Sequence, residues 1–266
     1  MATNNLFTIK DLENLSGIKA HTIRIWEQRY NFLKPSRTNT NIRYYTNDEL
    51  KTILNVSLLN KYGVKISQIN KLSEAEVQKK IINLNQTEAQ EEQQVNELLK
   101  YMLTFNLENF ELLLDKTIKA KGIQKTVTTL VFPFLEKIGI LWLTNHIIPA
   151  QEHLVTNIIR QKIIMAIEKA PLSKKKKSSF ILFLPEGEYH ELGLLLVHFM
   201  LKAKGIKVYY LGTAVPLKDI FYTVKAVKPD YLYSHLTSVS KNFKLDKFIE
   251  EITLQIPNVP DRKSVV

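Results

Sequence analysis

Phe180-Ile-Leu-Phe-Leu184 is an unbroken apolar run that leads through a polar turn, Glu188-Tyr-His-Glu-Leu-Gly193, into an apolar-rich stretch closed by Gly205. A segment with no polar face to give to water reads as a strand covered on both sides. His190 to Lys204 then reads as a helix, Ile206 to Leu211 as a second strand, Pro216 to Val227 as a helix and Asp230 to Leu236 as a third strand. A further helix is expected near Asn242 to Gln255. Strands alternating with helices predict a doubly wound parallel sheet. Sheets of this kind normally use about five strands, so residues 178–260 are expected to form a truncated one. The final stretch, Asp261-Arg-Lys-Ser-Val-Val266, continues no periodicity and resembles translated sequencing-adapter DNA, so 261–266 is expected to be an artefactual tail.

Upstream of the sheet, Ala170-Pro171 and the run Lys174 to Lys177 read as a solvated linker. From Glu97 to Ala170 the apolar residues recur at helical spacing, with breaks near Asn106, Lys121-Gly122 and Asn145 to Pro149. That pattern predicts an antiparallel bundle of about four helices over residues 95–170. Ala75 to Gln94, rich in Glu, Gln and Asn, reads as an exposed helical connector, assigned to 76–94.

Residues 1–75 have a different grammar. Leu6 to Leu15 is a short amphipathic helix with Ile9, Leu12 and Leu15 on one face, broken at Ser16-Gly17. Lys19 to Arg29 follows, with Ile23, Trp26 and Tyr30 facing inward and His21, Thr22, Arg24 and Gln28 outward. Two helices joined by a glycine-bearing turn predict a helix-turn-helix. Pro35 to Tyr45 suits a short hairpin or wing. Thr46, with Glu49 three residues on, should open a helix running to Lys61, stopped by Gly63 and followed by a short helix from Ser67 to Leu72.

Composition narrows the chemistry. The 266 residues contain no cysteine, which excludes disulfides, thiolate nucleophiles and cysteine-held metal centres. The formal charge of +11 favours polyanionic partners, and residues 1–75 carry 11 Lys and Arg against 6 Asp and Glu. No apolar run reaches membrane-spanning length and no signal peptide opens the chain, so a cytoplasmic protein without membrane contact is expected.

Residues 8–72 resemble the MerR family of transcription regulators, through Thr8-Ile-Lys-Asp-Leu12, Ser16-Gly-Ile18, Thr22-Ile-Arg-Ile-Trp-Glu27, Pro35-Ser-Arg-Thr38 and Arg43-Tyr-Tyr45 in that order. The resemblance implies a winged helix-turn-helix that puts His21, Thr22 and Arg24 at base edges or phosphates of double-stranded DNA. It places Arg37, Arg43 and Tyr44 as further DNA contacts in the wing. Other roles stay open: Arg24 as an ion-pair partner of Glu27, Tyr44 or Tyr45 as core, and Trp26 as core. Many relatives carry glycine in the wing where this chain has Asn39-Thr40-Asn41, and asparagine tolerates the positive φ a turn needs.

Glu188-Tyr-His-Glu-Leu-Gly193 is similar to the Asp/Glu-x-His-x-x-Gly signature of cobalamin-binding, Rossmann-like domains, and Ser234-His-Leu236 to their Ser-x-Leu element. By that resemblance His190 replaces the cofactor's own base beneath cobalt, as metal ligand. Glu188 fixes its tautomer, Gly193 packs beside the nucleotide tail, and Ser234 and Leu236 border that tail. The family's Gly-Gly element has no counterpart in the chain. Trp142, followed ten residues later by Glu152-His153, resembles a pattern of light-responsive cobalamin repressors of the CarH type, where a helical bundle caps the cofactor. There Trp142 stacks over the upper axial group, with Glu152 and His153 near an adenosyl group. Leu143 stands where light-sensing relatives carry a histidine, and His146 is a candidate substitute.

The whole reads as a multi-domain α and α/β protein: a winged head, a helical-bundle cap and a partial doubly wound sheet. The expected function is a non-enzymatic regulator that binds an operator as a homo-oligomer, dimer or tetramer. Cobalamin, in the first place adenosylcobalamin, would control assembly, with a light response if the photoreceptor-like relatives are a guide. The alternatives are a corrinoid-carrying methyl-transfer module and a MerR-like regulator that has lost the cofactor.

Overall fold

The computed structural model describes residues 6–30, 32–38, 41–84, 87–143, 147–170, 178–237 and 243–255. The chain divides into two compact units, Met1–Ile158 and Ile159–Val266. The expected linker run Lys174 to Lys177, the tail 261–266 and His146 lie outside the described residues.

The first unit opens with α1 (Ile9–Ser16) and α2 (Ala20–Arg29), joined through Gly17, whose φ of 73° lets it end α1 in the left-handed region. The first helix starts at Ile9, not Leu6. Phe7 instead exchanges backbone hydrogen bonds of 2.8 Å with Tyr45, and Thr8 closes a capping box with Asp11. Strands β1 (Ser36–Arg37) and β2 (Arg43–Tyr44) pair antiparallel with Ser36 opposite Tyr44. Asn41 takes φ 66° in the turn between them, the conformation asparagine tolerates best after glycine. Thr46 and Glu49 form the expected capping box for α3 (Asn47–Lys61), and α4 (Ile66–Ile69) and α5 (Glu74–Ile82) follow.

Four helical rods make the rest of this unit's scaffold. They are α6 (Thr87–Leu103), α7 (Leu107–Lys121), the continuous run of α8 (Ile123–Thr126), a π-helical turn (Val127–Val131) and α9 (Phe132–Leu143), and α10 (Pro149–Lys169), within which the division into units falls. Phe110 and Phe134 are fully buried with ring centroids 5.4 Å apart, and Leu98, Leu114, Leu130 and Leu141 are buried with them. The connector expected over 76–94 consists of the end of α5 and the start of α6, where Ile81 and Ala89 are buried.

The second unit is built on a parallel sheet of order β4-β3-β5: β3 (Ser179–Pro185), β4 (Lys207–Val215) and β5 (Tyr231–Tyr233). Between and after the strands lie α11 (Leu192–Ala203), α12 (Leu217–Val227) and α13 (Leu245–Gln255). The central strand shows why its sequence is apolar throughout. Ile181 and Phe183 pack with Ile220 and Val224 of α12 and with Phe248 and Ile252 of α13, while Leu182 and Leu184 pack with Leu194 of α11. Alternate side chains therefore bury on opposite faces, which is the doubly wound arrangement. Two strand ends move by more than one residue. The second strand runs past Leu211 to Val215, because a bulge places Gly212, φ 85°, opposite Phe183. The third ends at Tyr233, so Ser234 to Leu236 follow the strand and do not close it.

Candidate functional site

On the head, α2 buries Ile23 and Trp26 and leaves His21, Arg24 and Gln28 exposed, with Thr22 half-buried. The expected reading face is thus open, and Trp26 is core, packed edge-on to Phe32 at 6.0 Å. In the wing, exposed Arg37 donates from Nη1 to Asn41 Oδ1 at 2.7 Å, which closes the turn that Asn41 makes. Arg43 donates from Nε to Glu27 Oε2 at 3.0 Å, and the Tyr45 hydroxyl donates to Glu27 Oε1. Glu27 therefore fastens α2 to the wing, and Arg24 is exposed. Tyr45 is fully buried and Tyr44 half-buried. Burial, with the Glu27 carboxylate beside it, pushes the Tyr45 phenol well above the ordinary tyrosine range.

In the sheet unit the loop after β3 carries the second candidate site. Glu188 is completely buried. Its Oε1 accepts from His190 N at 2.9 Å and lies 2.6 Å from His190 Nδ1, and its Oε2 accepts from Thr237 N at 2.6 Å. A carboxylate can only accept here, so Nδ1 carries the proton, and in the neutral ring the lone pair sits on Nε2. The His190 side chain is 58% exposed, which turns that lone pair outward. Gly193 opens α11 against the ring of His235, and Ser234 Oγ is buried with no hydrogen-bond partner among the described residues. Leu236 is half-buried beyond it.

Glu191, next to the candidate ligand, is held from two sides: Arg160 Nε on α10 lies 2.5 Å from Oε1, and the Tyr210 hydroxyl donates to Oε2 at 3.0 Å. Burial and the nearby Glu191 charge raise the Tyr210 phenol far above its ordinary value. Sequence reasoning missed this clasp and the Glu27 link because their partners lie 16 to 31 residues apart with no shared motif.

In the helical unit Trp142, near the end of α9, is 39% exposed. Glu152 is half-buried and His153 exposed in the first turn of α10, where an acidic side chain suits the helix dipole. Neither side chain has a hydrogen-bond partner among the described residues. The side chain of Leu143 lies outside them.

These residues fit a corrinoid. A neutral imidazole fixed at one nitrogen and open at the other is a sound donor for cobalt, and the unpartnered Ser234 hydroxyl asks for a polar ligand atom.

Comparison with known proteins agrees with the head and with the helical unit at the level of class. Residues 7–76 match the MerR HTH family regulatory protein model and residues 94–166 match the B12 binding domain model. The chain therefore joins a MerR-type helix-turn-helix head to a B12 binding domain, and the latter match contains Trp142, Glu152 and His153. Over most of its length it is homologous to two repressors of Myxococcus xanthus. It is 29% identical to HTH-type transcriptional repressor CarH over 233 residues, covering 85% of this chain and 77% of that protein. It is also 29% identical to HTH-type transcriptional repressor CarA over 232 residues, covering 84% and 73%. Among solved structures it is similar to the methanol:cobalamin methyltransferase complex MtaBC from Methanosarcina barkeri, at 16% identity and TM-score 0.33, covering 76% and 77%. No helix of the described residues is long and apolar enough to cross a membrane.

Proposed function

We propose that this chain is a cytoplasmic, non-enzymatic transcription regulator whose operator binding responds to cobalamin, with His190 as the ligand on the lower face of cobalt. The observation that carries the reading is the buried Glu188 carboxylate 2.6 Å from His190 Nδ1, which presets the tautomer and aims Nε2 outward. Metal-binding histidines are commonly held in this way from the far side of the ring. The named relatives are repressors, and one domain match is to B12 binding.

On this reading the head is residues 1–75, the connector 76–94, the cap 95–170 and the cobalamin-binding sheet 178–260. Ser234, Leu236 and Gly193 border the nucleotide tail. By the resemblance, Trp142, Glu152 and His153 would lie near an adenosyl group, with adenosylcobalamin as the cofactor. When bound, the cofactor supplies a cobalt–carbon bond that light can break. The head presents His21, Thr22 and Arg24 to the major groove and Arg37, Arg43 and Tyr44 to the flanking backbone. A homo-oligomer, dimer or tetramer, would join such heads, and the second half-site then binds at the effective concentration set by the first.

The test is reconstitution with adenosyl-, methyl- and hydroxocobalamin in the dark, followed by absorbance spectra, sizing and DNA mobility shifts before and after illumination. The expected result is a coloured complex, lost in His190→Ala, whose DNA shift depends on the cofactor. A protein that stays colourless with every corrinoid ends the reading.

A further inference from the structure

The strand order β4-β3-β5 means that the chain leaves β3 for one neighbour and then crosses back to the other side. The order therefore reverses between β3 and β5, and in open α/β sheets ligands enter the crevice beyond the strand ends at that reversal. Its two lips are the loop carrying Glu188 to Glu191 and the loop carrying Ser234 to Thr237, bridged by the bond from Thr237 N to Glu188.

A side chain stands in this crevice. A Cβ added at Gly193 would lie 3.3 Å from His235 Cε1 and 3.4 Å from its Nε2, so the imidazole lies directly against the start of α11. Its Nε2 sits 3.2 Å from the carbonyl oxygen of His190, which can only accept, so the ring donates there. That contact is one neutral hydrogen bond at an exposed position, easily exchanged for water, and the ring also stands tilted to that of Tyr233 with centroids 6.2 Å apart. The residue beside it, Ser234, holds its buried Oγ unpartnered. The crevice thus combines a backbone surface bared by glycine, a buried hydroxyl awaiting a polar atom, and one loosely tethered ring between them and solvent.

We propose that His235 is a gate: its imidazole closes the crevice against Gly193 and swings clear to admit the nucleotide tail of a corrinoid, whose polar atoms then satisfy Ser234 Oγ. The inference rests on the cobalamin reading of His190. It adds a selectivity that reading lacks. A corrinoid without a tail meets only Nε2 of His190 and leaves the gate shut, whereas one with a tail must open it.

The experiment uses the whole chain in stopped-flow absorbance, mixed with hydroxocobalamin or with cobinamide, which has no nucleotide tail. In His235→Ala the association rate for cobalamin should rise about fivefold, the factor that opening one neutral hydrogen bond is worth, with cobinamide unchanged. His235→Gln keeps a donor and bulk at the gate and should retain the wild-type rate. A wild type that takes up both corrinoids, with His235→Ala speeding neither or both alike, overturns the gate and leaves the cobalamin reading standing. A wild type that takes up neither overturns the two together. Far-UV circular dichroism of each variant against wild type establishes that the rates compare folded proteins.

Discussion

Two carboxylates do most of the work of placing functional side chains, and neither touches a ligand in the proposed scheme. Glu27, its side chain 8% exposed, accepts from both Arg43 and Tyr45. Replacing it leaves two donors pointing at an empty acceptor, at a cost of about 1 to 3 kcal/mol. Glu27→Ala should therefore lower the urea midpoint and weaken DNA binding together, although Glu27 itself lies behind the reading face. Glu188→Gln is the corresponding change in the sheet unit. An amide can satisfy His190 Nδ1 or Thr237 N but not both, since one end becomes a donor. Cobalamin affinity should fall by about 10- to 100-fold, as for other residues that hold a metal ligand in place, read by titration of the visible spectrum. The sequence made Glu188 legible because it sits two positions from its partner inside a motif. For Glu27 the sequence leaves only Arg24, three residues away, open as a partner, because nothing local signals one across the wing.

At the scale of elements, signals confined to one turn were the readable ones. The Thr46-to-Glu49 box, the left-handed Gly17 and the positive φ of Asn41 are decided by neighbouring residues, and they stand where the pattern puts them. The sequence pattern ends the second strand at Leu211, whereas the pairing of Gly212 with Phe183 across a bulge carries β4 on to Val215. Nothing in Val127 to Val131 announces a π-helical turn either. Nor does the sequence show that Lys137 of α9 is half-buried with its Nζ 2.8 Å from Asn96 Oδ1 on α6 and 3.4 Å from the Leu15 carbonyl at the end of α1. Burial lowers this amine from 10.5 to about 8, with Lys61 pushing the same way and Glu92 opposing. Between those two pH values the unfolded chain holds the proton and the folded chain has released it, so this group makes stability rise with pH across that window. Below about pH 8 both states are charged and its effect is constant. Urea denaturation at pH 7, 9 and 10 should show wild type gaining on Lys137→Met over both steps. A difference between the two proteins that stays flat with pH would contradict this account.

For the whole molecule, the charge of +11 is informative only where the fold makes it so. Each lysine or arginine that neutralises a phosphate adds about one to the slope of log affinity against log salt. Arg43 is a poor probe of this, because its removal also breaks the link to Glu27 and confounds stability with contact. Arg37 is better placed: it is exposed, and its bond to Asn41 shapes only the wing's own turn. Arg37→Ala should reduce the salt slope by about one with little change in the urea midpoint. Ligand linkage separates the two units in the same spirit. Cobalamin at about 100 times its dissociation constant should stabilise the part that binds it by about 2.7 kcal/mol. Hydrogen exchange in the dark should therefore slow in peptides covering β3, the Glu188-to-Glu191 loop and the residues after β5, with α1 and α2 unchanged unless DNA is present. His190→Ala should abolish that slowing. Protection confined to the helical unit, with the sheet peptides exchanging as before, would move the cofactor's anchor away from His190.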